Sequence, residues 1–173
     1  MDTTEFLRVS SSVIFFAQKI LVLTNRKSGW LVGIVAATLA LFYFYQIGLL
    51  VYTTLEVGLI TLMCYGFFKK ESQNVKVEDT IRCMTLAIMA VLTCFVFTGM
   101  MTVVELFGSA CLLVGIYLLT HSKPALGWFI SGIGHSITAF IGYSVPGQQF
   151  FADFQVATVV VCAVGVHINK EPR

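Results

Sequence analysis

Apolar residues run along this chain in long blocks rather than alternating with polar ones. Seven blocks of about 17 to 21 residues can be marked, at 8–24, 29–46, 49–68, 78–98, 101–120, 125–142 and 150–168. At 1.5 Å per residue, each has the length a helix needs to cross roughly 30 Å of hydrocarbon. The connectors are short. Gln46-Ile47-Gly48 and Thr98-Gly99-Met100 are uncharged and carry the glycine a sharp reversal needs, so the helices they join are antiparallel. The only polar connector of any length runs from Lys69 to Asp79 and sets three blocks apart from four. The first block is the most diluted, by Ser10, Ser11, Ser12, Gln18 and Lys19. It reads as a retained membrane span, with a helix lying in the interface as the alternative.

Composition turns this pattern into a class. Hydrophobic residues make up 57% of the chain and charged ones 12%, with a mean hydropathy of +0.87. A water-soluble domain carries roughly twice that share of charge, so the expected fold is an all-α membrane protein in which residues 1–173 form a single transmembrane domain. The net charge of +2 and the absence of a basic run exclude nucleic acid as a partner. Five scattered cysteines, Cys64, Cys83, Cys94, Cys111 and Cys162, have neither CxxC nor zinc-ligand spacing and read as free thiols. No Walker A loop, dinucleotide fingerprint, HExxH or GxSxG occurs. No metal, cofactor or catalytic residue is therefore expected, and an enzyme is not.

Charge placement orients the chain. With seven spans, Arg26, Lys27, Lys69, Lys70, Lys76, Lys123, Lys170 and Arg173 fall on one face, with Lys19 and Arg82 expected to snorkel towards it, while the other face receives essentially Arg8. Basic loops stay cytoplasmic, so the expectation is a multi-pass protein of a cell (inner) membrane, its N-terminus outside and its C-terminus inside.

The blocks also repeat. Leu23-Thr24-Asn25 followed by Gly29-Trp30 recurs as Leu119-Thr120-His121 followed by Gly127-Trp128, and Gly66 and Gly165 close the two units, all at separations of 96 to 99 residues. Seven transmembrane helices are thus expected as two parallel three-helix repeats, residues 1–70 and 99–173, joined by a linker helix in 71–98. Transporters built from parallel repeats hold their solute near the midplane, between the halves. A Gly-Trp pair that merely anchors an interface and packs is the plainer alternative.

The run from Gly29-Trp30-Leu31-Val32-Gly33 through Tyr45-Gln46 and Glu56 to Tyr65-Gly66 resembles, without gaps, the first repeat of the PnuC family of vitamin transporters. That repeat has a Trp-x-x-Gly, an aromatic-Gln pair, a Gln where Glu56 stands and a closing Tyr-Gly. The second repeat departs from the pattern: Trp128 is followed by Ser131 and His135 rather than by a second Trp and then Asn or Asp, and Ala36 replaces a family asparagine. The resemblance implies a facilitator, most concretely for nicotinamide riboside, working by alternating access, with a cytoplasmic kinase trapping the solute. SWEET sugar transporters share the 3+1+3 plan. The same fold carrying another small solute, or a membrane homo-oligomer acting as a channel or interaction platform, is therefore the alternative reading.

Ionisable residues inside spans cost roughly 2.5 kcal/mol or more unless they face a cavity or a partner. Glu56, Glu105, Asp153 and His135 are these residues. Glu105 and Asp153 are expected at headgroup level. Trp30, Glu56, Trp128, His135 and Gln155 are the candidate substrate-binding residues, the tryptophans for cation–π stacking on a pyridinium ring and Glu56 and Gln155 for ribose hydroxyls. For His135, a hydrogen bond to a backbone carbonyl or to Ser131 is the alternative to a ligand contact.

Overall fold

The computed structural model describes residues 2–69, 75–121 and 123–170. Lys70, Glu71 and Arg173, and the side chain of Lys76, lie outside the described residues. The described chain is all-helical: α1 Thr3–Leu23, α2 Ser28–Gln46, α3 Leu50–Phe68, α4 Val75–Phe97, α5 Val103–Thr120, α6 Pro124–Ser144 and α7 Gln149–Ile168. All seven are long and apolar enough to cross a membrane. Their outer faces carry side chains such as Leu86, Phe97, Phe140 and Val160, with Phe97 86% exposed, an exposure that suits lipid rather than water.

The first block, the weakest by composition, forms a continuous helix of 21 residues. Its polar residues do not break it because they bond locally or turn inward. The Ser11 and Ser12 hydroxyls both donate to the Arg8 carbonyl, at 3.1 and 2.8 Å. Thr38, Thr54, Thr61, Thr85, Thr93 and Thr158 make the same bond to the carbonyl four residues back. A hydroxyl satisfied by its own helix can sit in hydrocarbon without the cost of an orphaned donor. At the ends, Thr102 and Glu105 form a reciprocal capping box on α5, Pro124 opens α6, and Gly48 and Gly99 turn the chain at φ 75° and 72°.

The helices adjoin in a closed order. α1 packs along α2 and α2 along α3, α5 packs along α6 and α6 along α7, and the circuit is completed where α1 meets α7 and α3 meets α5. α1 does not adjoin α3, nor α5 α7, so the six helices ring a common centre. α4 stands outside the ring against α3 and α5. Leu92, fully buried, and Ile81 join it to a core of Leu59, Leu62, Met63, Leu113 and Ile116 on the α3–α5 seam. At the face carrying the α1–α2 turn, α4 is also pinned by polar contacts. Arg82 Nε donates to the Tyr117 hydroxyl at 3.0 Å, and His121 stacks on Tyr117 and Tyr65 with ring centroids 3.9 and 5.3 Å away.

Candidate functional site: a polar cavity inside the ring

Every helix of the ring contributes to the lining of one cavity. The contributions follow helical spacing. α1 presents Ser12, Phe15 and Lys19; α3 presents Tyr52, Leu55, Glu56, Leu59 and Met63; α7 presents Phe151, Phe154, Gln155 and Thr158. Steps of three and four residues place each set on a single inward stripe. α5 adds Leu112 and Ile116, α6 adds His135 and Thr138, and α2 adds Phe44. Glu56 and Gln155 occupy the same position on their helices, six residues after Leu50 and after Gln149 respectively, so α3 and α7 each bring one polar side chain to the same depth.

Among the polar side chains that line this space are Lys19, Glu56, His135 and Gln155. Lys19 is a correction to the sequence reading. It does not snorkel to the membrane face but is buried at 3% exposure, with its stem in the cavity lining. The physical reason is helix register. Lys19 lies seven residues after Ser12, on the one polar stripe of α1, and that stripe faces the ring's centre rather than the bilayer. Glu56 is buried at 5%. Lys19 and Glu56 are within electrostatic reach of each other, yet Lys19 makes no hydrogen bond among the described residues and no ion pair within the 4.0 Å limit.

The second half of the ring supplies a hydrogen-bonded pair. His135 Nδ1 lies 2.5 Å from Gln155 Oε1. The amide oxygen accepts, so Nδ1 carries a proton, and in a neutral ring Nε2 is left as an acceptor. That Nε2 has no partner, and neither has Glu56 Oε2. Ser131, the alternative partner for His135, does not serve. It is fully buried against Gly115, and its own hydroxyl is unpaired. Buried polar atoms are overwhelmingly paired in folded proteins, so unpaired acceptors around a cavity point to a group that arrives from outside.

The two tryptophans lie elsewhere. Trp30 packs its ring over Gly66, where an added Cβ would come within 2.7 Å, and Trp128 packs over Gly165, where it would come within 2.5 Å. Both are knobs seated on glycines, α2 onto α3 and α6 onto α7, and neither is in the cavity lining. The structure thus brings Glu56, His135 and Gln155 together and keeps Trp30 and Trp128 apart from them. Of the remaining acids, Glu105 completes the α5 cap and accepts from the Tyr52 hydroxyl at 3.3 Å, and Asp153 accepts from Tyr143 at 2.6 Å.

Aromatic rings do line the cavity, but they are not the two tryptophans. Phe44 stacks on Tyr52, with centroids 5.1 Å apart and planes 29° apart, and meets Phe151 edge-on at 6.2 Å. These three sit two residues from the ends of α2, α3 and α7 that share the N-terminal face, and so form the rim there. Polar ties cross the same face. Gln148 Nε2 donates to the Tyr43 hydroxyl at 2.7 Å, and Arg8 Nη1 donates to the Gly147 carbonyl at 2.5 Å. The signal that would have found Lys19 was present in the spacing. Ser11 and Gln18, and Ser12 and Lys19, are each seven apart, which gathers the polar residues of α1 onto one side.

No family model matches the chain, and no curated protein and no solved structure matches it either. Among the described residues no group of three or more His, Cys, Asp or Glu is placed to hold a metal ion.

Proposed function

We propose that the chain is a facilitator that carries a small, ring-containing, vitamin-type solute across a membrane by alternating access between two three-helix halves, α1–α3 and α5–α7, with α4 as their linker. The cavity carries this reading: it is reached by all six ring helices and lined in part by polar side chains with unsatisfied acceptors. Two halves built as parallel repeats are supported by the order of contacts, which maps onto itself when α1, α2 and α3 are exchanged for α5, α6 and α7. The α1–α7 seam then becomes the α5–α3 seam. The Trp30–Gly66 and Trp128–Gly165 knobs exchange in the same way. Rocking one half on the other at these two seams, which are less extensive than the packing within each half, opens the cavity to either face in turn.

The PnuC resemblance names nicotinamide riboside as the solute to test first. The pyridinium ring is received by Phe44, Tyr52 and Phe151 at the rim rather than by the tryptophans, and the ribose hydroxyls donate to Glu56 and His135. With the basic loops in the cytoplasm the N-terminus is outside, so the rim faces outward, and a cytoplasmic kinase provides the sink for net uptake. The experiment is uptake of labelled nicotinamide riboside into vesicles that contain the purified protein. Saturable uptake that is lost in Glu56→Leu is expected. Uptake no faster than into empty vesicles refutes the assignment.

A further inference from the structure

The charges of the cavity are arranged for more than a hydroxylated cation. Lys19, 3% exposed, brings an ammonium with three donors into a space where nothing accepts them. Glu56 Oε2 and His135 Nε2 are acceptors that nothing fills. A lysine and a glutamate kept in hydrocarbon for stability alone close into a hydrogen-bonded ion pair, because only contact repays their desolvation. These two line the same cavity and form no such pair among the described residues.

Their levels in the ring differ as well. Lys19 stands four residues before the end of α1 at Leu23, on the side of the α1–α2 turn, and Glu56 stands six residues after the start of α3 at Leu50, on the side of the rim. The lysine stem leans towards the N-terminus of its own helix, as side chains on an α-helix do, which carries the ammonium up into the cavity from below. The site therefore has a donor end at depth and an acceptor end nearer the rim.

We infer that the solute is amphoteric, with an anionic group that binds the Lys19 ammonium at the deep end of the cavity and a cationic or hydroxyl-bearing portion that binds Glu56 and His135 nearer the rim. This rests on the facilitator reading and narrows it. Nicotinamide riboside, with its ring at the rim, leaves Lys19 uncompensated. Its analogue with a carboxylate in place of the carboxamide is turned end for end, its ribose hydroxyls staying with Glu56 and His135 and its carboxylate meeting the Lys19 ammonium. Lys19 is thus the residue that sets specificity between the two.

The test compares these two ribosides as probes of the purified full chain in lipid nanodiscs, by equilibrium binding, and in vesicles, by competition for uptake. The wild type is expected to favour the carboxylate form by at least about tenfold, the effect of one charge-assisted hydrogen bond in a dry site. Lys19→Met is expected to bring the ratio to one or below, and Lys19→Arg to keep the preference. Equal affinity for the two forms in the wild type, preference for the carboxamide, or an unchanged ratio in Lys19→Met overturns the inference while leaving the facilitator standing. Binding of neither riboside to folded protein overturns the facilitator reading for this solute class and the inference with it.

Discussion

The Lys19–Glu56 relation makes a prediction about stability that is independent of any solute. The perturbation is a double-mutant cycle of Lys19→Met, Glu56→Leu and the two together, each replacement near in volume to the residue it replaces. Either single change leaves the other group buried without the field of its opposite, and because the two make no contact the cost lies below the about 3–5 kcal/mol of a broken buried pair. Both changes together leave an apolar cavity wall, and replacing a buried pair by packed apolar residues is often neutral or stabilising by about 1–4 kcal/mol. The two make no ion-pair contact, so their coupling lies below the about 4 kcal/mol that Coulomb's law gives at 4 Å with an effective dielectric of about 20. A coupling above zero and below that bound is expected, with the double variant more stable than either single one. Thermal unfolding in nanodiscs reads it, at roughly 2–4 °C per kcal/mol for a chain of this size. On the proposed facilitator reading, uptake is lost in all three variants while the double variant melts highest. Strict additivity, with the double variant as unstable as the sum of the singles, refutes the placement of these two charges in one cavity.

Three further outcomes are expected. Gly165→Ala places a Cβ about 2.5 Å from the Trp128 ring, which is almost fully buried, so a loss of about 1–3 kcal/mol from overpacking is expected. Trp128→Phe should recover part of that loss in a melting experiment, and a Gly165→Ala protein as stable as its parent contradicts the knob-on-glycine contact. Thr102→Ala removes the hydroxyl that accepts from the Glu105 backbone at 3.1 Å and should lower stability by about 1 kcal/mol, whereas Thr54→Ala, whose hydroxyl only bonds back to Leu50, should cost less. For orientation, a membrane-impermeant maleimide should label Thr3→Cys in intact cells and Lys170→Cys only after permeabilisation, both in a cysteine-free background; the opposite pattern reverses the assignment of the two faces.

The elements were legible in the sequence because block length alone sets them. Each expected span overlaps a helix, and the turns at Gly48 and Gly99 sit where a positive φ was needed. The ends were less so. α1 begins at Thr3 rather than at residue 8, since Thr3, Thr4 and Glu5 lie on a helical turn ahead of the apolar stretch and a hydropathy threshold does not register them. Glu56, His135 and Gln155 were legible as inward-facing residues for one reason, the cost of carrying polar groups into a membrane. The packing of Trp30 and Trp128 was not legible, because a tryptophan beside a glycine has the same local sequence whether its ring faces a ligand or a neighbouring helix. Only the presence of Gly66 and Gly165 opposite decides between these, and that is a tertiary fact.

Lys19 shows where the sequence logic needed one more step. A lysine five residues from the end of an apolar block snorkels by default, and the default holds when its stripe faces lipid. In α1 that stripe also carries Ser11, Ser12 and Gln18, and all four side chains are buried, Gln18 with both amide atoms unpaired. Four polar residues gathered on one side of a membrane helix cannot all reach the interface, so the side must face protein or a water-filled space. The features that made the first block the weakest membrane span are therefore those that mark it as a wall of the cavity. Polar residues gathered on one helical stripe of a span long enough to cross the bilayer are thus a positional signal for the cavity.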